Sequence, residues 1–427
     1  MGEPVEKTLF LFTSSYPYSS AAEDTFIEPE LPHLQKHFKT IIMIPRTLRG
    51  TRAQVPAYIN VDTSLGEKLR LGDGILPALN ICLNAILSKI FYYELIKKKK
   101  LLFHYRSLMF LVYFSGVSHI VQKWLKKFLE NQKPVLSSTL FYTYWLNEVP
   151  LGICQIKAEK PEMKIICRAH GGDMFEDRYN PPYLPFRPEI FEFINKIYIA
   201  SKNGAKYLSK KYPEHKQIFK VSLLGVADPQ SETNMSTDGI FRIVSCSFLR
   251  PVKRIDLLIS GLKELGIMRK NQEFEWIHIG DGPLKASLEK LAATLLPNNI
   301  KHKFFGFLPN SGVIEYYKNN PIDVFINVSA SEGGNPVSIM EAQSCGIPVI
   351  ASAVGGNKEI ISDKVGILLS PNPSPEEIAR AILDFIEDPS LIKERKINSK
   401  INWKENYNAE KNFSNFSQEI AAIVDHN

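Results

Sequence analysis

Short apolar runs separated by polar loops and segments of helical period set the rhythm of this chain. The first covers residues 8–13 (TLFLFT) and leads into a polar, Ser-rich loop, 14–22, then a charged segment of helical spacing, 28–37. A second run follows at 41–44, and others at 134–140, 163–167 and 197–200 extend the series. Strand-length runs alternating with helical segments predict a parallel sheet joined by crossovers. The stretch 228–239 (DPQSETNMSTDG) is polar, with Met235 its one aliphatic side chain, and reads as a linker. Beyond it the pattern restarts, with strands at 241–245, 275–279, 302–305, 324–328 and 348–351 and helices at 255–265, 284–295 and 337–345. The expected organisation is an N-terminal Rossmann-like domain (1–227), the linker (228–239) and a C-terminal Rossmann-like domain (240–400). A final helix within 401–427 is expected to pack back toward the N-terminal domain.

Composition agrees with two globular domains: 427 residues, 44% hydrophobic and 23% charged, too apolar for disorder. Cys82, Cys154, Cys167, Cys246 and Cys345 are scattered, without the spacing of a zinc site or a disulfide framework, which fits a reducing cytosol. Glu3 and Glu6 precede the first apolar run where a secretory signal would carry positive charge, so none is expected.

Charge changes the picture in one place. The formal net charge is +7, yet residues 81–133 alone hold ten basic and two acidic residues, interleaved with Phe91, Tyr92, Tyr93, Phe103, Tyr105, Phe110, Tyr113, Phe114, Trp124 and Phe128. Asn80, Asn84, Lys89, Glu94 and the lysines at 97–100 interrupt residues 79–120 too often for a spanning helix. Two readings of this window stand side by side. One is peripheral contact with an anionic membrane, which would hold a cytoplasmic protein on the inner face. The other is a helix pair with apolar core faces and solvated lysines. No recognisable nucleic-acid module accompanies the charge, so nucleic acid is not an expected partner.

Candidate chemistry concentrates in residues 327–361, NVSASEGGNPVSIMEAQSCGIPVIASAVGGNKEII. A strand ends at Ser329, a Gly-rich loop follows, and Pro336 stands where a helix should begin, its missing N–H costing no bond there. Backbone amides of Val337, Ser338 and Ile339 would then be free at the helix N-terminus, an arrangement that binds phosphate. Gly333 and Gly334, followed by Asn335, let a ligand approach the backbone. Glu332 precedes this helix and Glu341 lies inside it, so both carboxylates can meet vicinal hydroxyls at the strand ends. A tight turn flanked by two solvated glutamates is the plainer reading.

In a second cluster, 245–256 (SCSFLRPVKRID), Lys253 and Arg254 open a helix whose apolar face is Ile255, Leu258, Ile259 and Leu262. A cation there would offset charge building on a leaving diphosphate; two solvated basic residues are the alternative. Residues 279–283 (IGDGP) form a strand-to-helix turn containing Gly280 and Gly282, and 305–307 (FGF) form another ending at Phe307. In the N-terminal half, 168–173 (RAHGGD) places His170 and Asp173 in a Gly-bearing loop after a strand, a position open to a structural or a functional histidine.

Together these motifs resemble glycosyltransferase family 4, the retaining group 1 glycosyl transferases. The family's donor signature is matched by Glu332, Glu341-Ala342, Gly346, Pro348-Val349, Ala351, Gly355-Gly356 and Glu359, with one residue more between the two glutamates than the family shows. The match is dense over 241–361 and thin before residue 134. It implies an α/β GT-B fold, two Rossmann-like domains facing each other across a cleft. It further implies that Glu341 binds the nucleotide ribose and Glu332 the donor-sugar hydroxyls, with residues 333–338 lining the donor site. Lys253 matches the family's Lys; Phe248 stands at its Arg and Arg254 at the following Gly, so Arg250 or Arg254 supplies the missing charge. Gly280 and Gly282 would pack near the nucleotide and Phe307 beside the base. His170 would sit close to the donor sugar and acceptor, with Asp173, and Ser14 and Ser15 stand where relatives carry glycines near the diphosphate.

The expected reaction is transfer of a hexosyl group from a nucleoside-diphosphate sugar to a hydroxyl of a sugar or lipid-linked acceptor, in cell-surface polysaccharide or glycolipid assembly. His170, Lys253 and Glu332 are its candidate catalytic residues. No Asp-x-Asp pair advertises a divalent cation, and neither metal nor other cofactor is expected. Two alternatives remain: a catalytically degenerate subunit that binds a sugar nucleotide or a membrane surface, and a nucleotide-sugar epimerase.

Overall fold

The computed structural model describes residues 6–18 and 23–425, so residues 19–22 of the opening loop lie outside the described residues. The chain divides into two compact units, Met1–Ser222 with Phe413–Asn427, and Leu223–Asn412.

Unit 1 is built on β1 (Thr8–Thr13), β2 (Thr40–Pro45), β3 (Ile59–Val61), β4 (Thr139–Thr143), β5 (Lys164–Ala169), β6 (Lys196–Ile199) and β7 (Phe219–Val221). All pair in parallel, in the order β3-β2-β1-β4-β5-β6-β7. Leu9, Phe10, Leu11, Leu140, Phe141 and Tyr142 are all buried, because helices cover both sheet faces and the strands need no polar side. On one face the C-terminal helix Ala409–Asp425 places Phe416, Ile420, Ala421 and Val424 against Leu9, Leu11, Tyr142 and Tyr198.

The connection from β3 to β4 holds four α-helices, Ser64–Leu69, Ile75–Leu87, Lys89–Lys97 and Tyr105–Gln132, in place of one crossover. Tyr105–Gln132 buries Phe114, Val117, Val121, Trp124, Leu125 and Phe128 in the unit's core. Ile75–Leu87 crosses it closely at Gly116, where a Cβ would lie 2.1 Å from the Ile81 carbonyl oxygen. The basic-aromatic window is therefore not one surface. Phe91, Phe114, Trp124 and Phe128 are core, whereas Tyr92, Tyr93, Phe103 and Tyr105 are exposed, since each helix turns only one side inward. Among the described residues no single helix is long and apolar enough to cross a membrane; Ile75–Leu87 and Lys89–Lys97 reach that length only as a pair bent by 72°.

Unit 2 carries β8 (Phe241–Cys246), β9 (Phe274–Ile279), β10 (Ile300–Gly306), β11 (Val324–Asn327), β12 (Val349–Ser352) and β13 (Gly366–Leu369). This sheet is also parallel, in the order β10-β9-β8-β11-β12-β13. Strand order reverses between β8 and β11, so the crevice beyond their carboxyl ends is where such a sheet holds a ligand.

The domain boundaries differ from the sequence expectation. Residues 228–239 are no free tether but part of unit 2: buried Thr233 donates its hydroxyl to the Tyr317 carbonyl (2.8 Å), and its own carbonyl accepts from Lys396 Nζ (2.7 Å). Polar sequence conceals this packing because the partners are backbone oxygens and a lysine amine. At the other end, unit 2 runs through Asn402 and the turn Trp403–Tyr407 to Asn412, with Trp403 Nε1 donating to the Val226 carbonyl, so the final helix begins only at Ala409.

Candidate functional site

At the switch point of unit 2, the chain leaves β8, passes Ser247–Arg250 and makes the turn Pro251–Lys253 before helix Ile255–Met268. Arg254 between them has φ 49°. This left-handed conformation favours glycine, the residue that the resembled family carries here. Arg254 holds it through donors to the carbonyls of Val328 (2.7 Å), Ser329 (2.8 Å) and Pro371 (3.0 Å) and to Asn372 Oδ1 (3.1 Å). Its guanidinium thus ties the helix start to the end of β11 and is not left free for a ligand. Arg250 is exposed and lies over the Phe248 ring, 4.8 Å from its centre, which puts a cation beside the residue standing at the family's Arg position.

Lys253 points across the switch point. Its Nζ donates to Glu332 Oε1 at 2.6 Å, and the same oxygen accepts from Asn327 Nδ2 at 3.2 Å. Asn327 Oδ1 in turn accepts from the Ser329 amide (3.0 Å) and fixes the turn after β11. Sequence reasoning did not single out Asn327: an Asn at a strand end carries no distinguishing pattern until its loop is folded. Gly355 and Gly356 lie beneath the 332–335 loop. Cβ atoms there would meet the Glu332 carbonyl oxygen at 1.8 Å and the Gly334 carbonyl oxygen at 2.2 Å, so only glycine lets the loop settle. Gly333 and Gly334 are partly exposed on its outer side, while Asn335 is buried, with Nδ2 donating to the Tyr407 hydroxyl (3.1 Å) and Oδ1 unpartnered.

Pro336 is the N-cap of helix Val337–Ser344 rather than its first residue. Of the three amides expected to be free, Ile339 N–H bonds to the Pro336 carbonyl at 3.1 Å, leaving those of Val337 and Ser338 at the helix end. One turn further, Glu341 is buried, and among the described residues no hydrogen bond or ion pair reaches its carboxylate. Burial alone pushes its pKa up to about 8. An uncompensated buried carboxyl is costly to the fold. Such a group is what a ligand hydroxyl would satisfy.

Two neighbouring turns complete this unit. Gly280 (φ 144°) and Gly282 (φ 153°) pass against the 247–249 loop, where a Cβ on Gly280 would lie 1.9 Å from the Ser247 carbonyl oxygen. Phe307, after β10, is 73% exposed, an aromatic face with no packing role of its own. Among the described residues no three His, Cys, Asp or Glu side chains converge as metal ligands.

In unit 1 the candidates are engaged by their own chain. Amides of Ser14 (2.8 Å), Ser15 (2.6 Å) and Tyr16 (2.8 Å) donate to the Glu23 carboxylate, which Trp145 Nε1 also meets. A cluster of amides that could cradle an anion therefore already holds one, and Glu23 was not visible as its ligand from the sequence. Asp173 accepts from the amides of His170 (2.6 Å) and Leu146 (2.8 Å), and its burial raises its pKa to about 6. The His170 ring is buried among Tyr144, Trp145 and Phe26, and desolvation beside the Arg168 charge lowers its pKa to about 3. It is neutral at physiological pH, with Nε2 unpartnered.

Comparison with known proteins places this geometry. Residues 230–403 match the family model described as Glycosyl transferases group 1. An uncharacterised glycosyltransferase of Methanocaldococcus jannaschii is 35% identical over 149 residues, 35% of this chain and 37% of that one. The amylovoran biosynthesis glycosyltransferase AmsK of Erwinia amylovora is 30% identical over 146 residues, 33% of this chain and 35% of that one. These matches thus span about a third of the relatives' length. Over 98% of this chain and 100% of the other, the structure of Anabaena Alr3699/HepE in complex with UDP and glucose superposes with a TM-score of 0.64 at 14% identity. That likeness shows the fold to be GT-B.

Proposed function

Because residues 230–403 match the family model of the group 1 glycosyl transferases, we propose that this protein is a retaining transferase that moves a hexosyl group from a nucleoside-diphosphate sugar to a hydroxyl of a sugar or lipid-linked acceptor. The observation that carries the reading is the buried, unpartnered Glu341 carboxyl, on the helix that follows the loop bearing Glu332, which Lys253 meets. Ribose hydroxyls donating to Glu341 would convert a buried liability into a satisfied contact. The amides of Val337 and Ser338, with Lys253, would take the diphosphate. Glu332 would exchange its lysine contact for sugar hydroxyls. Arg250, held over Phe248, supplies the second cation of this loop. The UDP and glucose bound by the Anabaena protein support a ligand of this class.

In the proposed step the bond from the anomeric carbon to the diphosphate oxygen breaks, and a bond to the acceptor oxygen forms on the same face. The acceptor proton passes to the departing phosphate oxygen, so no side-chain nucleophile is required. Lys253 and the helix amides stabilise the charge that grows on the diphosphate.

A panel of nucleotide sugars scored by thermal shift tests this reading. A donor at a hundred times its dissociation constant should stabilise the fold by ~2.7 kcal/mol. Glu341→Ala should abolish the shift and Lys253→Ala weaken it. No shift with any sugar nucleotide at millimolar concentration would overturn the proposal.

A further inference from the structure

Helix Ile75–Leu87 exposes Ile75, Leu76, Leu79, Leu83, Ile86 and Leu87, each more than half accessible. At 100° per residue these six fall within about one third of the helix circumference. The opposite side, Ile81 and Ala85, is buried against the long helix Tyr105–Gln132. The next helix repeats the arrangement: Tyr92, Tyr93 and Ile96 face outward, while Phe91 and Glu94 face inward. Beyond it Phe103, Tyr105 and Met109 are exposed at 84%, 71% and 66%. An apolar surface this continuous is not ordinary for a water-facing helix pair.

Its charge identifies the occupant. Between residues 75 and 109 the basic residues are Lys89, Lys97, Lys98, Lys99, Lys100 and Arg106, and the one acidic residue, Glu94, is buried and accepts from the Tyr183 hydroxyl. Lys89, Lys99, Lys100 and Arg106 are exposed. We propose that the outer face of residues 75–109 docks on an anionic lipid bilayer, with Ile75, Leu76, Leu79, Leu83, Ile86 and Leu87 entering the acyl boundary, the exposed tyrosines and Phe103 at headgroup level, and the exposed Lys89, Lys99 and Lys100 on lipid phosphates. Leucine and isoleucine on one side, aromatics at the margin and lysines around them form the pattern of an interfacial helix. The inner faces are committed to unit 1, so the bent pair lies on the bilayer rather than across it. A second copy of this chain is the competing occupant, but two copies would bring these lysine rims together.

The test is co-flotation of the full chain with phosphatidylglycerol vesicles and with phosphatidylcholine vesicles, without any sugar nucleotide, so that its result is independent of the donor-site reading. Capture by the anionic vesicles is expected, with little by the neutral ones. Leu83→Glu with Ile86→Glu, both surface changes, should abolish it, and Lys99→Glu with Lys100→Glu should lower partitioning by roughly tenfold or more. The charge-matched Lys160→Glu with Lys210→Glu, both exposed elsewhere on unit 1, should leave it unchanged. An environment-sensitive label on exposed Cys82 should shift to the blue on anionic vesicles only. No capture, equal capture by both lipids, or a dimer in solution that Leu83→Glu with Ile86→Glu dissociates would overturn the proposal.

Discussion

Unit 1 buries Glu30 and unit 2 buries Glu341, and the two are treated in opposite ways. In unit 1, Glu30 accepts from Arg168 Nη2 and from the Tyr142 hydroxyl, both at 2.9 Å. Arg168 also donates to the Ser222 carbonyl and stacks on Phe416 of the C-terminal helix, 4.1 Å from the ring centre. Burial pushes the Glu30 carboxyl up while the guanidinium and the hydroxyl pull it back. In unit 2, Glu341 has the burial without the partners, and nothing opposes the upward shift. A paired buried charge belongs to the architecture, linking strand, helix and C-terminus. The unpaired Glu341 carboxyl has no such role in linking elements and meets its burial by holding its proton. The same contrast separates Asp173, satisfied by two amides, from Glu332, whose lysine and asparagine contacts are both partly buried and open to exchange.

Breaking the paired side should have the largest effect. Arg168→Ala strands Glu30 in the core and should cost about 3–5 kcal/mol of stability, measured by urea unfolding. Glu341→Gln should cost little and should change the pH dependence instead. The unfolded carboxyl ionises near about 4.3 and the folded one near 8. Between those values the native state keeps a proton the unfolded state has lost, so wild-type stability should fall as pH rises through that window. The slope due to this group is at most ~1.4 kcal/mol per pH unit. Glu341→Gln should flatten the fall; identical pH profiles for the two proteins would show that Glu341 has a partner after all. Smallest is the effect at His170. Its imidazole NMR signal, assigned by His170→Gln, should not titrate between pH 5 and 8, because its pKa lies near 3. A midpoint in that range would return it to the acid–base candidates.

Much of the frame was legible. Strand-length apolar runs located nine of the thirteen strands among the described residues, because parallel strands buried on both faces read as continuous β-branched and aromatic stretches. The run 134–140 only touched the start of a tenth, β4. The short β3, β7 and β13 escaped because each is an edge strand with partly exposed residues, so burial on both faces does not mark it as it marks the equally short β6, β11 and β12. The Gly-rich loop was legible because its glycines answer local demands, though the reason for Gly355 and Gly356, the loop lying over them, was not. The basic-aromatic window misled as a unit. Its composition is uniform, but burial divides it helix by helix, and the exposed apolar face begins at Ile75, upstream of the charge.

The amino-acid order by itself marked most of the strands, some of the helices and the glycine turns, and which stretch resembles a sugar-nucleotide site, since periodicity and backbone permissiveness act over a few residues. Tertiary structure alone decided which charges are spoken for. Lys253 meets Glu332 across 79 positions of chain, Arg168 meets Glu30 across 138, and Glu23 fills the Ser14–Ser15 amides. Ionisation and pairing depend on distance and water exclusion, and neither quantity exists until distant segments have packed.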